Sequence, residues 1–105
     1  MKQLDLSKPS PAAGQEARLA QLVRHLDARL RDFGPGGPAV VSADQCRGVV
    51  SARFPGHDTA QVLETLRTSA GISAALEGDL AVFYLSPQVP FEELDRLWGC
   101  LFQLL

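Results

Sequence analysis

The last third of the chain constrains the fold more than any other segment, because two strand patterns flank a tight turn and a helix pattern follows them. The turn is Glu77-Gly78-Asp79, with apolar-rich segments at residues 72–76 before it and 80–85 after it. Strands this close in sequence pair antiparallel as a hairpin. Pro90 then starts a helix whose first turn carries acids, which suit the helix dipole. The segment therefore predicts a hairpin followed by an amphipathic helix.

Two more helix patterns and two more strand patterns precede this segment. Residues 15–33 predict a helix because apolar side chains recur with a helical period, at Leu19, Leu22, Val23, Leu26, Leu30 and Phe33. Residues 34–38, Gly-Pro-Gly-Gly-Pro, end it. Strands are predicted at residues 39–41 and 48–54, and a second helix from Asp58 or Thr59 to Gly71. This order predicts an α+β two-layer sandwich, with a mainly antiparallel sheet of about four strands and three helices largely on one face.

Length and composition predict one soluble domain over residues 15–105, preceded by a disordered tail over residues 1–14 that is rich in proline and serine. The net charge of −2, with arginines scattered among acids, offers no basic surface for nucleic acid. The sequence contains neither a long apolar run nor the apolar core of a secretory signal, so we expect a cytosolic protein without membrane contacts. Cys46 and Cys100 are too few for a disulfide framework or a zinc site, and we expect free thiols.

Several segments, taken in order, resemble the small carboxyl-terminal domain of class V aminotransferases, a family that includes the cysteine desulfurases. They are Arg18-Leu19 in the first helix, Arg47-Gly48-Val49-Val50-Ser51, the helix of residues 58–69 with Gly71-Ile72, and Leu85-Ser86-Pro87 with Glu92-Glu93-Leu94-Asp95-Arg96-Leu97. The likeness spans residues 15–105 and implies the fold of that domain. In complete members a large domain carries the pyridoxal phosphate and its Schiff-base lysine, and these 105 residues contain no such domain.

Three departures from the family pattern predict that this chain performs no pyridoxal-phosphate chemistry on its own. The only lysines, Lys2 and Lys8, lie in the predicted tail. Tyr84 stands where the family has an arginine that binds the substrate carboxylate through two parallel hydrogen bonds. The short turn at residues 77–79 replaces a longer active-site loop. We therefore expect no cofactor on this chain alone, and pyridoxal phosphate only if a large-domain partner supplies it.

The two histidines and the acids of the last helix have structural explanations. His25 and His57 could titrate near neutral pH, but neither has a sequence neighbour that would complete a base or a metal site. Glu92, Glu93 and Asp95 resemble paired carboxylates, yet acids at a helix start are explained by the helix dipole and solvent. None of these residues is predicted to be catalytic or to bind a metal or cofactor.

The cysteines also have a structural explanation. Asp44, Cys46 and Arg47 could form a nucleophile site, because a neighbouring arginine lowers the pKa of a thiol. A simple turn explains the same residues, and we favour the turn. Cys100 is predicted to be a small core or interface residue.

An excess of apolar residues near the end of the chain predicts a partner interface. Adjacent residues of a strand face opposite sides of the sheet, so one of the two rings at positions 83 and 84 faces away from the helices. The last helix is apolar around more of its circumference than one buried face needs. The predicted interface consists of Phe83, Tyr84, Trp98, Leu101, Phe102 and Leu105. Its partner would be a second copy of the chain or a separately encoded large-domain subunit.

Three functions are compatible with these features. The first is a non-catalytic, stand-alone interaction or regulatory module with the fold of a pyridoxal-phosphate transferase carboxyl-terminal domain. The second is a separately encoded small subunit or fragment of a split aminotransferase-like or desulfurase-like enzyme. The third is a ferredoxin-like sensor of a small ligand, which would be favoured by two βαβ-like halves with right-handed crossovers.

Overall fold

The structure, a computed structural model, describes residues 3–9 and 14–105. Five strands and three helices follow one another as β1 (Leu4–Leu6), α1 (Glu16–Arg31), β2 (Ala39–Asp44), β3 (Val49–Arg53), α2 (Thr59–Ala70), β4 (Ile72–Glu77), β5 (Leu80–Tyr84) and α3 (Phe91–Leu104). The strands form one mixed sheet in the order β1-β4-β5-β3-β2. The predicted α+β fold is confirmed, with five strands instead of about four.

The additional strand lies in the segment that was predicted to be a disordered tail. β1 pairs in parallel with β4, placing Leu4 beside Ile72 and Leu6 beside Ala74. Leu4 and Leu6 are buried in the core. The tail prediction is therefore wrong for β1, because two leucines separated by one residue bury one face of a short strand. Residues 1–2 and 10–13 of the predicted tail lie outside the described residues.

The strand directions distinguish this fold from a ferredoxin-like one. β5 is antiparallel to both β3 and β4, so the β3–α2–β4 connection joins two parallel strands that flank β5. The β1–α1–β2 connection instead joins antiparallel strands, since β1 is parallel to β4 and β2 is antiparallel to β3. Only one βαβ unit is therefore present among the described residues, whereas the ferredoxin-like alternative required two.

The hydrophobic core lies between the helices and one face of the sheet. Helix α1 packs over β2 and β3, α2 packs over β4 and β5, and α3 contacts both helices. Val50, Ala52 and Phe54, from β3 and the residue after it, alternate with residues that face away. Ala81, Phe83 and Leu85, from β5 and the residue after it, do the same. One set of alternate side chains on each central strand is thus buried under the helices.

The predicted caps of α2 are present. The Asp58 side chain accepts a hydrogen bond from the backbone N–H of Ala60 at 3.1 Å. At the other end Gly71 adopts a left-handed conformation, with φ at 69°, that glycine reaches without strain. Strand β2 runs further than predicted, to Asp44, and it carries a bulge between Val40 and Ser42. The turn that was predicted around Asp44, Cys46 and Arg47 therefore begins only after Asp44.

Candidate functional site

The sheet face opposite the helices, here called the open face, carries a cleft of about 830 Å³. Val49, Leu80 and Val82 contribute an apolar floor. The rim combines polar or charged side chains of the strands and their turns with Glu16 and Leu19 from the start of α1 and with Pro9. Clefts of this volume with a few placed polar groups are typical of binding sites. The open face is therefore the candidate functional site.

Tyr84 extends along the open face and bonds to Glu77 at its far end. The Tyr84 hydroxyl donates a hydrogen bond to Glu77 Oε2 at 2.8 Å. Glu77 pairs with Leu80, so about 13 Å of strand separate its position from that of Tyr84. Both side chains must therefore reach along the sheet, on the face that they share with Val82, which is only 4% exposed. The bond to Glu77 is the main reason that the pKa of Tyr84 is raised above its ordinary value.

Two serines form a second polar pair in the cleft. Ser42 on the edge strand β2 faces Ser51 on β3, and their hydroxyl oxygens lie 2.7 Å apart. Ser51 is only 7% exposed although its strand faces solvent on this side. One hydroxyl must donate to the other, and neither forms another hydrogen bond within the described residues. The pair therefore keeps one hydroxyl hydrogen that can be donated to a ligand.

The charged side chains of the cleft have an excess of acids. Glu16, Asp44 and Glu77 line it together with one cation, Arg47. Asp44 Oδ1 accepts hydrogen bonds from the backbone N–H groups of Cys46 and Arg47, both at 3.0 Å, and Arg47 Nε lies 3.9 Å from Asp44 Oδ2. The single cation is thus associated with one acid, which leaves Glu16 and Glu77 without a compensating charge among the cleft's own residues.

The turn that carries Cys46 serves a structural purpose. Asp44 fixes the turn through the two backbone hydrogen bonds described above, and Cys46 is exposed. Cys100 on α3 is partly buried against the core, and both thiols are free. Within residues 3–9 and 14–105, no three His, Cys, Asp or Glu side chains are grouped so that they could hold a metal ion.

The structure gives His25 a partner that the sequence did not reveal. His25 on α1 donates through Nε2 to Asp95 Oδ1 at 2.8 Å, and Arg29 donates through Nε to the same oxygen at 3.0 Å. The hydrogen bond from His25 is the main cause of a lowered pKa for Asp95, and the charges of His25 and Arg29 also contribute. His25 also lies against the ring of Phe91, with centroids 4.8 Å apart. This cluster joins α1 to α3, on the helix side of the sheet and away from the cleft.

The remaining titratable candidates are dispersed. His57 is exposed in the turn after β3, where its backbone N–H bonds to the Phe54 carbonyl at 2.9 Å. Glu92 is exposed in the first turn of α3. Glu93 is buried and forms an ion pair with Arg96 at 2.8 Å. The structure does not bring these residues together with the cleft.

The predicted interface needs correction at two positions and divides into two surfaces. Phe83 and Leu101 are fully buried in the chain's own core, because they point toward the helices and the sheet respectively, so neither can contact a partner. Tyr84 lies in the cleft on the open face. Trp98 and Phe102 lie on the helix side instead. Leu105, which follows α3, packs partly against the core.

Trp98, Phe102 and Phe33 form an aromatic cluster on the helix side. Phe33 lies 5.7 Å from Trp98 and 5.8 Å from Phe102, and the rings of Trp98 and Phe102 stack at 5.3 Å between centroids. The Arg29 guanidinium lies 5.4 Å from the Trp98 ring. Phe102 is 56% exposed, and the Trp98 Nε1 atom is buried without a hydrogen-bond partner among the described residues.

Sequence reasoning missed most of the cleft. Ser42, Ser51 and Glu77 were not proposed as site residues, and neither was the apolar floor. The available signal was the alternation along β3 and β5, where every second residue faces away from the core. That alternation places Val49 and Ser51 on the same side as Tyr84.

None of the helices in the described part of the chain is both long enough and apolar enough to cross a membrane. No protein-family model matches the chain, and no curated protein matches it significantly. Function must therefore be inferred from the cleft and its chemistry.

Proposed function

We propose that this chain is a non-catalytic interaction module, with the fold of a pyridoxal-phosphate transferase carboxyl-terminal domain, that docks another protein on its open face. The observation that carries this proposal is the cleft of about 830 Å³, in which an apolar floor on the open face is surrounded by a mainly polar rim. An apolar centre with a polar surround is the usual anatomy of a protein interface.

The pair of Tyr84 and Glu77 supports a binding function without catalysis. Tyr84 stands where the resembled enzymes have a carboxylate-binding arginine, and its hydroxyl is already engaged by Glu77 at 2.8 Å. A substrate carboxylate placed there would meet the negative charge of Glu77, while Arg47, the cation that lines the cleft, is associated with Asp44. The cleft therefore disfavours the anionic substrates on which that family acts.

The charge of the cleft favours a different protein over a second copy of the chain. Two open faces in contact would place two clefts with an excess of acids against each other, and like charges across an interface oppose association. We therefore expect a monomer of 11.3 kDa in isolation. Light scattering over a range of concentrations tests this, and a dimer mass would contradict it.

A separately encoded large-domain subunit of a split aminotransferase-like or desulfurase-like enzyme is one specific form of such a partner. The resemblance of residues 15–105 favours this second candidate. The two candidates differ in whether the partner contains bound pyridoxal phosphate, which its visible absorbance reveals. The ferredoxin-like alternative is not favoured by the strand directions, which supply one βαβ unit instead of two.

A matched pair of valine substitutions tests docking on the open face. Val49→Trp fills the cleft with a neutral side chain suited to a strand, whereas Val41→Trp adds the same ring on the edge strand β2, outside the cleft. Each tagged variant is used to capture partners from the organism's own extract, and captured proteins are identified by mass spectrometry. Circular dichroism verifies that both variants are folded.

We expect Val49→Trp to lose a partner that the wild-type chain and Val41→Trp both capture. A third variant, Phe102→Ser, examines the aromatic cluster on the helix side. Loss of the partner from Phe102→Ser together with retention by Val49→Trp would move the docking surface to the helices and overturn the proposal.

A further inference from the structure

We propose that the partner docks an extended segment on the open face and places a lysine or arginine side chain against Glu77. This inference rests on the proposed function, because it names the chemistry of the partner that the open face accepts.

The excess of acids in the cleft favours a partner that contributes a positively charged side chain. Arg47 is associated with Asp44, and no lysine or arginine among residues 3–9 and 14–105 forms an ion pair with Glu16 or Glu77. Glu16 is exposed, and the one hydrogen bond that it accepts within the described part of the chain is long, 3.4 Å, from the backbone N–H of Gly14. The cleft therefore presents two uncompensated carboxylates around an apolar floor, and complementary charge is what guides a partner to such a surface.

Glu77 is the more specific of the two acids because one of its carboxylate oxygens is held by a side-chain hydrogen bond. Tyr84 donates to Glu77 Oε2, which holds the carboxylate at the end of the tyrosine side chain and leaves Oε1 available. A lysine or arginine can bond to Oε1 while its aliphatic stem lies along the apolar floor at Val82 and Leu80. The adjacent tyrosine ring adds a surface that attracts cations.

The serine pair favours an extended polypeptide over an isolated cation. Ser42 and Ser51 retain one hydroxyl hydrogen after bonding to each other, and it is available to a carbonyl oxygen. A strand-like segment presents a carbonyl and a side chain at regular spacing, so one segment can satisfy the serines and reach Glu77. The serine pair on β2 and β3 and Glu77 on β4 lie on opposite sides of β5, so a segment that meets both crosses the strands of the open face.

The experiment uses four hexapeptides, acetylated and amidated at their ends, that differ only at one central position. That position is lysine, arginine, norleucine or glutamate. Each peptide is titrated into the full chain, and amide chemical shifts at Glu77, Tyr84 and Ser51 are followed by NMR. We expect the lysine and arginine peptides to bind about threefold to fivefold more tightly than norleucine, as for an exposed ion pair, and the glutamate peptide to bind most weakly. Added salt should reduce the difference.

Two substitutions of glutamate by glutamine provide the matched comparison. Glu77→Gln removes the charge but keeps an oxygen that can accept from Tyr84, and it should abolish the preference for lysine over norleucine. Glu92→Gln removes an exposed acid of α3 outside the cleft and should leave the preference unchanged. Glu77→Lys should reverse the preference in favour of the glutamate peptide.

Equal affinity for the lysine and norleucine peptides, an equal effect of both glutamine variants, or no saturable binding by any peptide would overturn this inference. Its failure is distinguishable from failure of the proposed function. If Val49→Trp loses the partner but Glu77→Lys retains it, docking on the open face is supported. The contact between Glu77 and a lysine or arginine of the partner is then rejected.

Discussion

Replacing Leu6 by alanine tests whether β1 belongs to the cooperative fold. Leu6 is fully buried, lies beside Ala74 of β4, and occupies a segment that sequence reasoning assigned to a tail. Removing its outer carbon atoms forfeits about 0.8 kcal/mol for each buried methylene-sized group. The cavity left behind adds to this loss, and buried leucine-to-alanine changes cost about 2–5 kcal/mol in total. We expect about 3 kcal/mol, because a short edge strand can partly close the cavity.

That loss is large against the whole stability of a domain of this size, which is about 5–15 kcal/mol. Urea unfolding followed by the fluorescence of Trp98, the only tryptophan, reports this loss from helix α3. The melting temperature should fall by about 10 °C or more. Lys8→Ala, an exposed change in the same segment, is the control and should alter the free energy of unfolding by less than about 0.5 kcal/mol. If Leu6→Ala proves as mild as Lys8→Ala, β1 is not part of the folded unit and the reasoning is refuted.

Three more predictions concern backbone conformation and titration. Gly71→Ala should destabilise the protein by about 1–2 kcal/mol because it forces a left-handed conformation on alanine. Gly99→Ala should stabilise it by about 0.5–1 kcal/mol, because the added Cβ meets open space and alanine favours the helix. Thermal melts of both variants check that the two effects have opposite signs. Tyr84 is the only tyrosine, so its absorbance titration reports one group; Glu77→Gln should lower that pKa toward its ordinary value, and an unchanged midpoint would contradict the bond between them. The pKa of Asp95 is depressed in the folded protein by its partners on α1. The contribution of Asp95 to stability is therefore present above about pH 4 and is lost as pH falls through the lowered pKa. Asp95→Asn should make urea unfolding less sensitive to acid, and a pH profile identical to that of the wild type would contradict this prediction.

Local patterns were sufficient to predict most of the elements. The helical period of α1, the capping residue Asp58, Gly71 and the hairpin turn at residues 77–79 all act within a few positions of the chain. β1 escaped prediction because three residues carry too little pattern, and its strand identity depends on pairing with Ile72 far along the sequence. The extension of β2 to Asp44 likewise depends on its partner strand, which reaches Val49 opposite it.

The cleft was only partly predictable for a related reason. Alternation on a strand correctly indicated that one of Phe83 and Tyr84 would face away from the helices, but not which neighbours it would meet. The meeting of Tyr84 with Glu77 depends on the register of β4 against β5 and on side chains that extend along the sheet. In the same way, His25 meets Asp95 only because α1 packs against α3. Side chains brought together by tertiary packing leave no local signature.

Both outer strands of the sheet make poor templates for a further strand. β1 offers three residues, and β2 carries a bulge between Val40 and Ser42 that interrupts its pairing pattern. A row of free backbone groups is what drives sheets of separate molecules to join edge to edge into polymers. The short strand and the bulge discourage that process, although one face of the sheet is left uncovered by helices.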